Sequence, residues 1–254
     1  MNKKLSLPNV TIVLIDTIAE ELSDLAMRDT LDLIFPENII IFTDNPEKFS
    51  ERRHTIKIDE ITSTTSYNQF LWWETPKYIT TSHILVIQWD GWVTNPKAWR
   101  SEFLSFDYIG ALWPWHKNYR VGNGGFSLRS TELMRWLAKK HYQPGTLEDD
   151  VLCRTYRKEL QEYHPSQHPV FEWASEALAK QFSHEHPITS VKFNPQPFGF
   201  HDCRNWPSVL DHSSLLSRLE ICDKSPYISQ KKEYQDLKQS LARELPDRDP
   251  GSTF

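Results

Sequence analysis

The chain has 254 residues and a formal net charge of -5, from 29 lysines and arginines against 34 aspartates and glutamates. This length fits one large domain or two small ones, and it suffices for a hydrophobic core without disulfide bonds or a structural metal. Short apolar runs exclude a membrane-spanning helix, and a mildly acidic chain without a basic block argues against nucleic acid as a partner.

Four buried strands are predicted in the first third of the chain. Apolar runs rich in β-branched residues indicate strands at 10–15, 39–43, 54–58 and 83–88. Helical spacing of apolar residues predicts helices at 18–34 and 67–80; Asp16 and Thr17 are expected to cap the first, and Pro36 to stop it. This alternation predicts an α/β fold with a mostly parallel sheet flanked by helices.

The second half of the chain is less regular. Strands are expected at 107–112, 124–129 and 190–193, with an aromatic and basic loop at 113–123. Helices are expected from Ser130 to about residue 141 and at 148–163 and 171–182. We expect residues 8–212 to form one domain and residues 213–254 a polar helical extension with a disordered tail.

Acidic residues follow three of the predicted strands: Asp16, Asp44 and Asp90. Ligands of open α/β sheets bind beyond the carboxyl ends of such strands. The segment Gln88-Trp89-Asp90-Gly91 therefore offers a carboxylate to a divalent cation, and oxygen ligands favour Mg²⁺ or Mn²⁺. An equally weighted alternative is that Asp90 only caps a turn.

A glycine-rich segment lies at residues 121–130, where Gly122, Gly124 and Gly125 fall within four positions. Glycines there allow positive φ angles and a close approach of the backbone to a ligand. The segment is not a phosphate-binding P-loop, because it lacks Gly-Lys-Ser/Thr and leads into a strand rather than a helix. A tight turn before an edge strand is the alternative.

The acidic cluster Glu148-Asp149-Asp150 opens a predicted helix. Its carboxylates either complement the helix dipole or include a general base that removes a proton from a hydroxyl. Arg154 and Arg157, about one turn further along, are expected to pair with the cluster. His201, in the aromatic segment 197–202, is a candidate metal ligand, although a structural histidine is the more common case.

The order of these segments resembles a family of glycosyltransferases that is catalogued mostly as a domain of unknown function and has the GT-A nucleotide-sugar-binding fold. The sequence is also distantly similar to the beta-1,4-galactosyltransferases. The resemblance covers roughly residues 10–206, and its most specific parts are 88–91, 107–111 and 123–130.

The resemblance implies a metal site and a donor site. Asp90 matches the last Asp of the Asp-x-Asp metal motif, Gln88 replaces its first Asp, and His201 matches a histidine that completes the metal site. The implied cofactor is Mn²⁺ or Mg²⁺, with a nucleoside diphosphate sugar, such as a UDP-sugar, as donor. Four further residues are implied to bind the donor: Asp16, Asp44, Gly124 and Gly125.

The acidic cluster matches the segment that carries the catalytic base of inverting members. Asp149 is the favoured base, Asp150 is close behind it because the register can slip by one, and Glu148 is the third candidate. The implied reaction is a single displacement in which a hydroxyl of a glycan or glycolipid acceptor replaces the diphosphate. Three aromatic residues are candidates for stacking on the acceptor: Trp113, Trp115 and Tyr119. Lys117 and Arg120 are candidates for meeting phosphate charge.

Two other classes of function stay open. A lectin-like module would keep the aromatic sugar surface without metal dependence, and a metal-dependent phosphate ester hydrolase would need more carboxylates converging on its metal. Three cysteines without C-x-x-C spacing, and no apolar stretch typical of a signal peptide, predict a cytoplasmic protein with reduced thiols. The oligomeric state is left open.

Overall fold

A computed structural model describes residues 3–160, 171–186 and 196–244. These residues belong to two compact units, Met1–His201 and Asp202–Phe254. The predicted domain boundary between residues 212 and 213 stays a prediction. Among the described residues, none of the helices has the length and apolar character required to cross a bilayer.

The first unit contains a six-stranded sheet and a two-stranded one. The strands are β1 (Leu5–Ile15), β2 (Ile34–Thr43), β3 (Thr55–Lys57), β4 (His83–Val86), β5 (Tyr108–Ile109), β6 (Ser127–Ser130), β7 (Ser183–His184) and β8 (Gly199–Phe200). The α-helices of this unit are α1 (Glu20–Leu33), α2 (Thr64–Gln69), α3 (Thr131–Leu137), α4 (Glu148–Asp150) and α5 (Glu176–Phe182).

The large sheet has the strand order β3-β2-β1-β4-β6-β5. The first four of these strands are parallel, and β6 runs antiparallel to both β4 and β5. The last six residues of β1 and all of β4 are buried, as expected for central strands of a covered parallel sheet. The predicted α/β class with a mostly parallel central sheet is therefore confirmed.

Several predicted elements differ in their limits. Strand β2 begins at Ile34 and includes Pro36, so the first helix ends at Leu33, before the proline. The predicted helix at 67–80 is three successive helical segments: α2, a wide π-type turn at Phe70–Glu74, and a tight turn at Thr75–Tyr78. The strand expected at 190–193, the helix beyond residue 160 and the C-terminal tail lie outside the described residues.

The second unit is helical over its described part. It contains α6 (Trp206–Val209), α7 (His212–Lys224) and α8 (Lys232–Glu244). Tyr234 of α8 is buried, and its hydroxyl donates to the Leu219 carbonyl at 3.1 Å and to Asp223 at 2.8 Å, which ties α8 to α7. The buried side of the last helix, which includes Tyr234 and Leu237, therefore packs within its own unit.

Candidate active site

A tight turn follows β4 and presents Asp90. The backbone N–H groups of Gln88 and Gly91 donate to each other's carbonyls at 3.2 and 3.1 Å, so residues 88–91 form a closed turn beyond the end of the strand. Asp90 is only 7% exposed. Its Oδ1 atom is buried and, among the described residues, accepts no hydrogen bond of good geometry. A buried carboxylate oxygen in this condition is suited to a bound cation.

His201 completes a small group of donor atoms around this turn. Its Nε2 atom lies 3.3 Å from Asp90 Oδ1 and 3.1 Å from Gln88 Oε1. The imidazole ring lies directly against Gly125, where any Cβ would overlap with it. Residues that are 113 positions apart in sequence thus meet at one point, and the glycine is required because the ring occupies the place of a side chain.

The outer side of the His201 ring faces Glu185 and Asn123. The Nδ1 atom lies 3.4 Å from Glu185 Oε1 and 3.1 Å from Asn123 Nδ2. Burial opposes a charged ring, but the carboxylates of Asp90 and Glu185 raise the pKa of His201 well above its usual value. Burial also opposes ionisation of Glu185, yet hydrogen bonds with His186 and His201 lower the pKa of Glu185 below its usual range.

The donor atoms fit one divalent cation. Ligands at adjacent corners of an octahedral site lie roughly 3 Å apart at the bond lengths of Mg²⁺, which matches the separations from His201 Nε2 to Gln88 Oε1 and Asp90 Oδ1. The Gln88 amide nitrogen donates to the Tyr67 hydroxyl at 2.8 Å, which turns the amide oxygen toward His201. Over the described ranges, no group of three His, Cys, Asp or Glu side chains is arranged to hold a metal. A cation bound by Asp90 and His201 would therefore need the Gln88 amide oxygen as its third protein donor.

The glycine-rich turn works differently from the prediction. The positive φ angle in this segment belongs to Asn123, at 68°, and not to its glycines. Asn123 Oδ1 accepts from the Phe126 N–H at 3.1 Å, and the Asn123 carbonyl accepts from the Tyr108 hydroxyl at 2.7 Å. These bonds stabilise the left-handed residue, which asparagine tolerates better than most. The glycines instead allow neighbouring side chains to contact the backbone.

Glu148 is engaged in a buried ion pair. Arg129 of β6, with no exposed surface, donates from Nη1 and Nη2 to the two carboxylate oxygens at 2.8 and 2.6 Å. Trp72 Nε1 donates to the same carboxylate at 3.3 Å. Burial opposes the charge of Arg129, but the Glu148 carboxylate raises the pKa of Arg129 above its ordinary value. Three protein donors thus hold the Glu148 carboxylate.

Asp149 is the member of the cluster that accepts a backbone hydrogen bond from the glycine-rich turn. The Gly124 N–H donates to its Oδ2 atom at 2.8 Å, and the Asp150 N–H donates to its Oδ1 atom at 2.9 Å. Burial, with the adjacent Glu148 charge, raises the pKa of Asp149 to about 7. A carboxylate with this pKa is suited to accepting a proton near neutral pH.

Asp150 lies on the outer side of the cluster. Its side chain is 48% exposed and pairs with Arg154 at 3.2 Å, as predicted, and with His116 at 3.9 Å. The expectation that Arg157 joins this cluster is wrong. Its guanidinium lies over the rings of Tyr119 and Trp173, at 5.2 and 5.3 Å from their centroids.

The other two strand-end aspartates have different surroundings. Asp16 Oδ1 accepts from the N–H groups of Ile18 and Ala19, each at 2.7 Å, and its other oxygen accepts from the Ser23 hydroxyl. Burial raises the pKa of Asp16, and the charge of Asp90 adds to this effect. Asp44 Oδ1, in contrast, is buried with no hydrogen-bond partner in the described part of the chain.

A groove of about 750 Å³ lies beside Asp150. It is lined by aromatic, basic and acidic side chains, among them Trp115, Lys117, Tyr119 and Arg154. Trp115 is 57% exposed and therefore available for stacking. Trp113, however, is only 5% exposed and its ring packs on Gly122, and Arg120 pairs with Glu176 at 2.9 Å. The expected roles of these two residues toward a ligand do not agree with their positions.

Four residues of this site were not assigned from the sequence: Tyr67, Asn123, Arg129 and Glu185. An arginine within the predicted apolar strand 124–129 requires a buried acidic residue as its partner. The position of Arg129 in this strand could therefore have predicted an ion pair with an acidic residue such as Glu148. The role of Glu185 has no comparable sequence signal, because its proximity to His201 depends on the pairing of two-residue strands.

The chain matches a known family over more than half of its length. Residues 51–201 match the family described as "Protein of unknown function (DUF5672)". No curated protein matches the chain.

Several solved structures are similar to this chain at low identity. The apo form of the glycosyltransferase GlyE of Streptococcus pneumoniae TIGR4 is 12% identical, with a TM-score of 0.47 over 96% of this chain and 64% of that one. A glycosyltransferase involved in glycosylation of the major capsid of PBCV-1 is 14% identical, with a TM-score of 0.48 over 84% of this chain and 100% of that one. The mannosyltransferase PcManGT of Pyrobaculum calidifontis, in complex with GDP-Man and Mn²⁺, is 8% identical, with a TM-score of 0.42 over 57% of this chain and 51% of that one. The chain thus spans slightly less than two thirds of the GlyE chain.

Proposed function

The chain belongs to the DUF5672 family of proteins of unknown function, and we propose that it is a metal-dependent glycosyltransferase. It transfers a sugar from a nucleoside diphosphate sugar to a hydroxyl group of a glycan or glycolipid. The sequence resemblance to GT-A glycosyltransferases gives this expectation, and the similarity to beta-1,4-galactosyltransferases stays a prediction. UDP-sugars are the first donors to test, and a cytoplasmic location is part of the same proposal.

One observation carries the proposal: a strand-end carboxylate, a distant imidazole and an acidic helix start converge on one glycine-rich turn. Asp90 lies 3.3 Å from His201, whose ring lies on Gly125, while the adjacent Gly124 N–H holds Asp149 at 2.8 Å. Donors for a cation and a candidate base thus lie on either side of two consecutive glycines. The same residues would be scattered in a domain that used them only as caps and counterions.

Asp90, His201 and Gln88 would hold the divalent cation. When bound, the cation would neutralise charge on the departing diphosphate. The protein's own part is to keep these three donors in place, since Tyr67 fixes the Gln88 amide and Gly125 allows the His201 ring its position. Asp44, with a buried oxygen that has no hydrogen-bond partner in the described chain, is the better candidate for the donor nucleoside. The Asp16 carboxylate is already used at the start of α1.

Asp149 is the proposed base. The acceptor oxygen forms a bond to the anomeric carbon, the bond from that carbon to the diphosphate breaks, and the hydroxyl proton goes to the Asp149 carboxylate. The Gly124 N–H orients the carboxylate, and a pKa of about 7 allows it to take up this proton. Asp150 is about half-exposed and pairs with Arg154, and Glu148 is held by Arg129. A base on the side opposite the leaving group gives inversion.

A thermal-shift panel tests the proposal. A nucleotide sugar present at about 100 times its dissociation constant stabilises the fold by about 2.7 kcal/mol. We expect one donor to raise the melting temperature only when Mn²⁺ or Mg²⁺ is present, and Asp90→Asn to abolish this shift. Asp59→Asn, which changes an exposed aspartate, is the matched control and should keep the shift.

Three outcomes would count against this function. A protein that binds glycans but shows no shift with any nucleotide sugar and metal would be a lectin-like module. If Asp90→Asn keeps the full metal-dependent rise in melting temperature, Asp90 is not a residue of the metal site. Release of inorganic phosphate from phosphate esters without sugar transfer would favour the hydrolase class instead.

A further inference from the structure

The pairing of β7 with β8 brings Glu185 alongside His201. Ser183 pairs with Gly199 and His184 with Phe200 in parallel, and the His201 N–H continues this pairing by donating to the His184 carbonyl at 2.9 Å. Glu185 and His201 are the residues that directly follow these two strands. Their relative position is therefore fixed by backbone hydrogen bonds rather than by flexible side chains alone.

The Glu185 carboxylate lies between two histidine rings. Its Oε1 atom lies 3.4 Å from His201 Nδ1, and its Oε2 atom lies 2.9 Å from His186 Nε2. The side chain of Glu185 is only 14% exposed. The ring of His186 in turn meets Trp115 edge to face, with centroids 4.4 Å apart. A mostly buried carboxylate oxygen thus lies beside the outer nitrogen of the His201 ring.

Asn123 competes for the same ring nitrogen. Its Oδ1 atom accepts from the Phe126 N–H, so its Nδ2 atom is the one that lies 3.1 Å from His201 Nδ1. An amide N–H beside Nδ1 favours a ring whose hydrogen is on Nε2, and this ring cannot bind a metal through Nε2. A carboxylate beside Nδ1 favours the opposite tautomer, because a charged acceptor forms the stronger hydrogen bond.

We propose that Glu185 is a positioning residue of the metal site: it accepts the Nδ1 hydrogen of His201 and so leaves Nε2 as the nitrogen that faces Asp90 and Gln88. This inference depends on the proposed function only through the metal site. Carboxylates that hold the outer nitrogen of a ligating histidine typically contribute 10–100-fold to metal affinity. Glu185 would act on a bound cation through the His201 ring.

Calorimetric titration with Mn²⁺ alone, on the full chain without a sugar donor, tests the role. We expect Glu185→Ala to weaken Mn²⁺ binding by about 10–100-fold. Glu185→Gln keeps an acceptor oxygen but loses the charge, so its affinity should be intermediate. Glu60→Ala, which removes an exposed glutamate, is the control and should bind as the unchanged protein does.

Nitrogen-15 NMR of the His201 ring separates positioning from a general effect on folding. With Mg²⁺ bound, the unchanged protein should carry its ring hydrogen on Nδ1, and His201→Gln identifies the signal. In Glu185→Ala the hydrogen should move to Nε2, because only the Asn123 amide then faces Nδ1. If Glu185→Ala does not fold, Glu185→Gln serves for both measurements.

The outcomes distinguish this inference from the function on which it depends. An unchanged protein that binds neither Mn²⁺ nor Mg²⁺ contradicts the metal site itself, and with it the role of Glu185. If the unchanged protein binds Mn²⁺ and Glu185→Ala binds within twofold of it with the same tautomer, the positioning role is wrong while the metal site stands.

Discussion

Arg129 donates to both carboxylate oxygens of Glu148, and neither side chain has more than 5% of its surface exposed. The pair joins strand β6 to the start of α4, directly beneath the glycine-rich turn. The Gly124 carbonyl also accepts from Arg129 Nη2 at 3.3 Å. Removal of one partner would leave the other as an uncompensated charge in the core.

Arg129→Met should therefore destabilise the fold by about 3–5 kcal/mol, the usual cost of breaking a buried pair from one side. Urea unfolding followed by tryptophan fluorescence measures this change. Arg154→Met removes the half-exposed partner of Asp150 and should cost no more than about 1 kcal/mol. Equal losses for the two variants would contradict the structural role given to the buried pair.

The rate of transfer should depend on the protonation of Asp149. Its pKa is raised from 3.8 to about 7, so the carboxyl group is protonated in acid and ionised above neutrality. A base must be ionised to accept a proton, and kcat/KM should therefore rise with pH through an apparent pKa of about 7. The measurement is initial transfer rate against pH at saturating metal.

Asp149→Asn should lower kcat by about 10²–10⁴-fold and remove this acidic limb. Asp150→Asn is the control, since its exposed carboxylate pairs with Arg154, and we expect it to keep the pH profile. If kcat/KM of Asp149→Asn still rises with pH near pH 7, the titrating group is a residue other than Asp149.

Gly125→Ala should disrupt the proposed metal site without changing the charge of the protein. A Cβ at this position would overlap with the His201 ring, which must then move away from Asp90. We expect Mn²⁺ affinity to fall at least as far as it does in Glu185→Ala. Gly145→Ala provides the contrast: residue 145 has φ 86° and nothing within 4 Å of a Cβ, so backbone strain of about 1–2 kcal/mol is its main effect. Retention of Mn²⁺ binding by Gly125→Ala would contradict the ring position.

Trp115→Ala should weaken acceptor binding selectively. The ring is 57% exposed in the groove beside Asp150, and loss of its stacking contact should cost about 1.4 kcal/mol, which is tenfold in affinity. With the best acceptor from a glycan panel, we expect KM for the acceptor to rise about tenfold while donor hydrolysis by water is unchanged. Leu147→Ala, at a residue 59% exposed, is the control. A rise in KM for the sugar donor instead would indicate that the Trp115 ring contacts the donor and not the acceptor.

The sequence predicted the large sheet well because its central strands are uniformly apolar. Strands β1 and β4 contain continuous runs of buried residues. The acidic residues that follow these strands could therefore be identified as candidate site residues from their position alone. The small second sheet and the true limits of β5 were not predictable in this way. Two-residue strands have no periodicity, and backbone hydrogen bonds across the fold decide where they form.

The candidate site was predicted in part for the same reason. Asp90 and His201 were proposed from residue type and position, and Asp149 from the family resemblance; the fold brings all three to the glycine-rich turn. The three residues of the cluster Glu148-Asp149-Asp150 have different roles because they differ in burial and because Arg129 pairs with only one of them. A run of three adjacent acidic residues in the sequence does not predict these differences. Glu185 was missed because its contact with His201 depends on the β7–β8 pairing.

The meeting of Gln88 and His201, 113 positions apart, has a consequence for synthesis and turnover of the protein. The proposed cation donors come together only after the chain has closed a very large loop, and folds that depend on such long-range contacts form slowly. Nascent or partly unfolded molecules would hold no complete set of donors. Bound metal should then protect the chain from proteases by favouring the fully folded population.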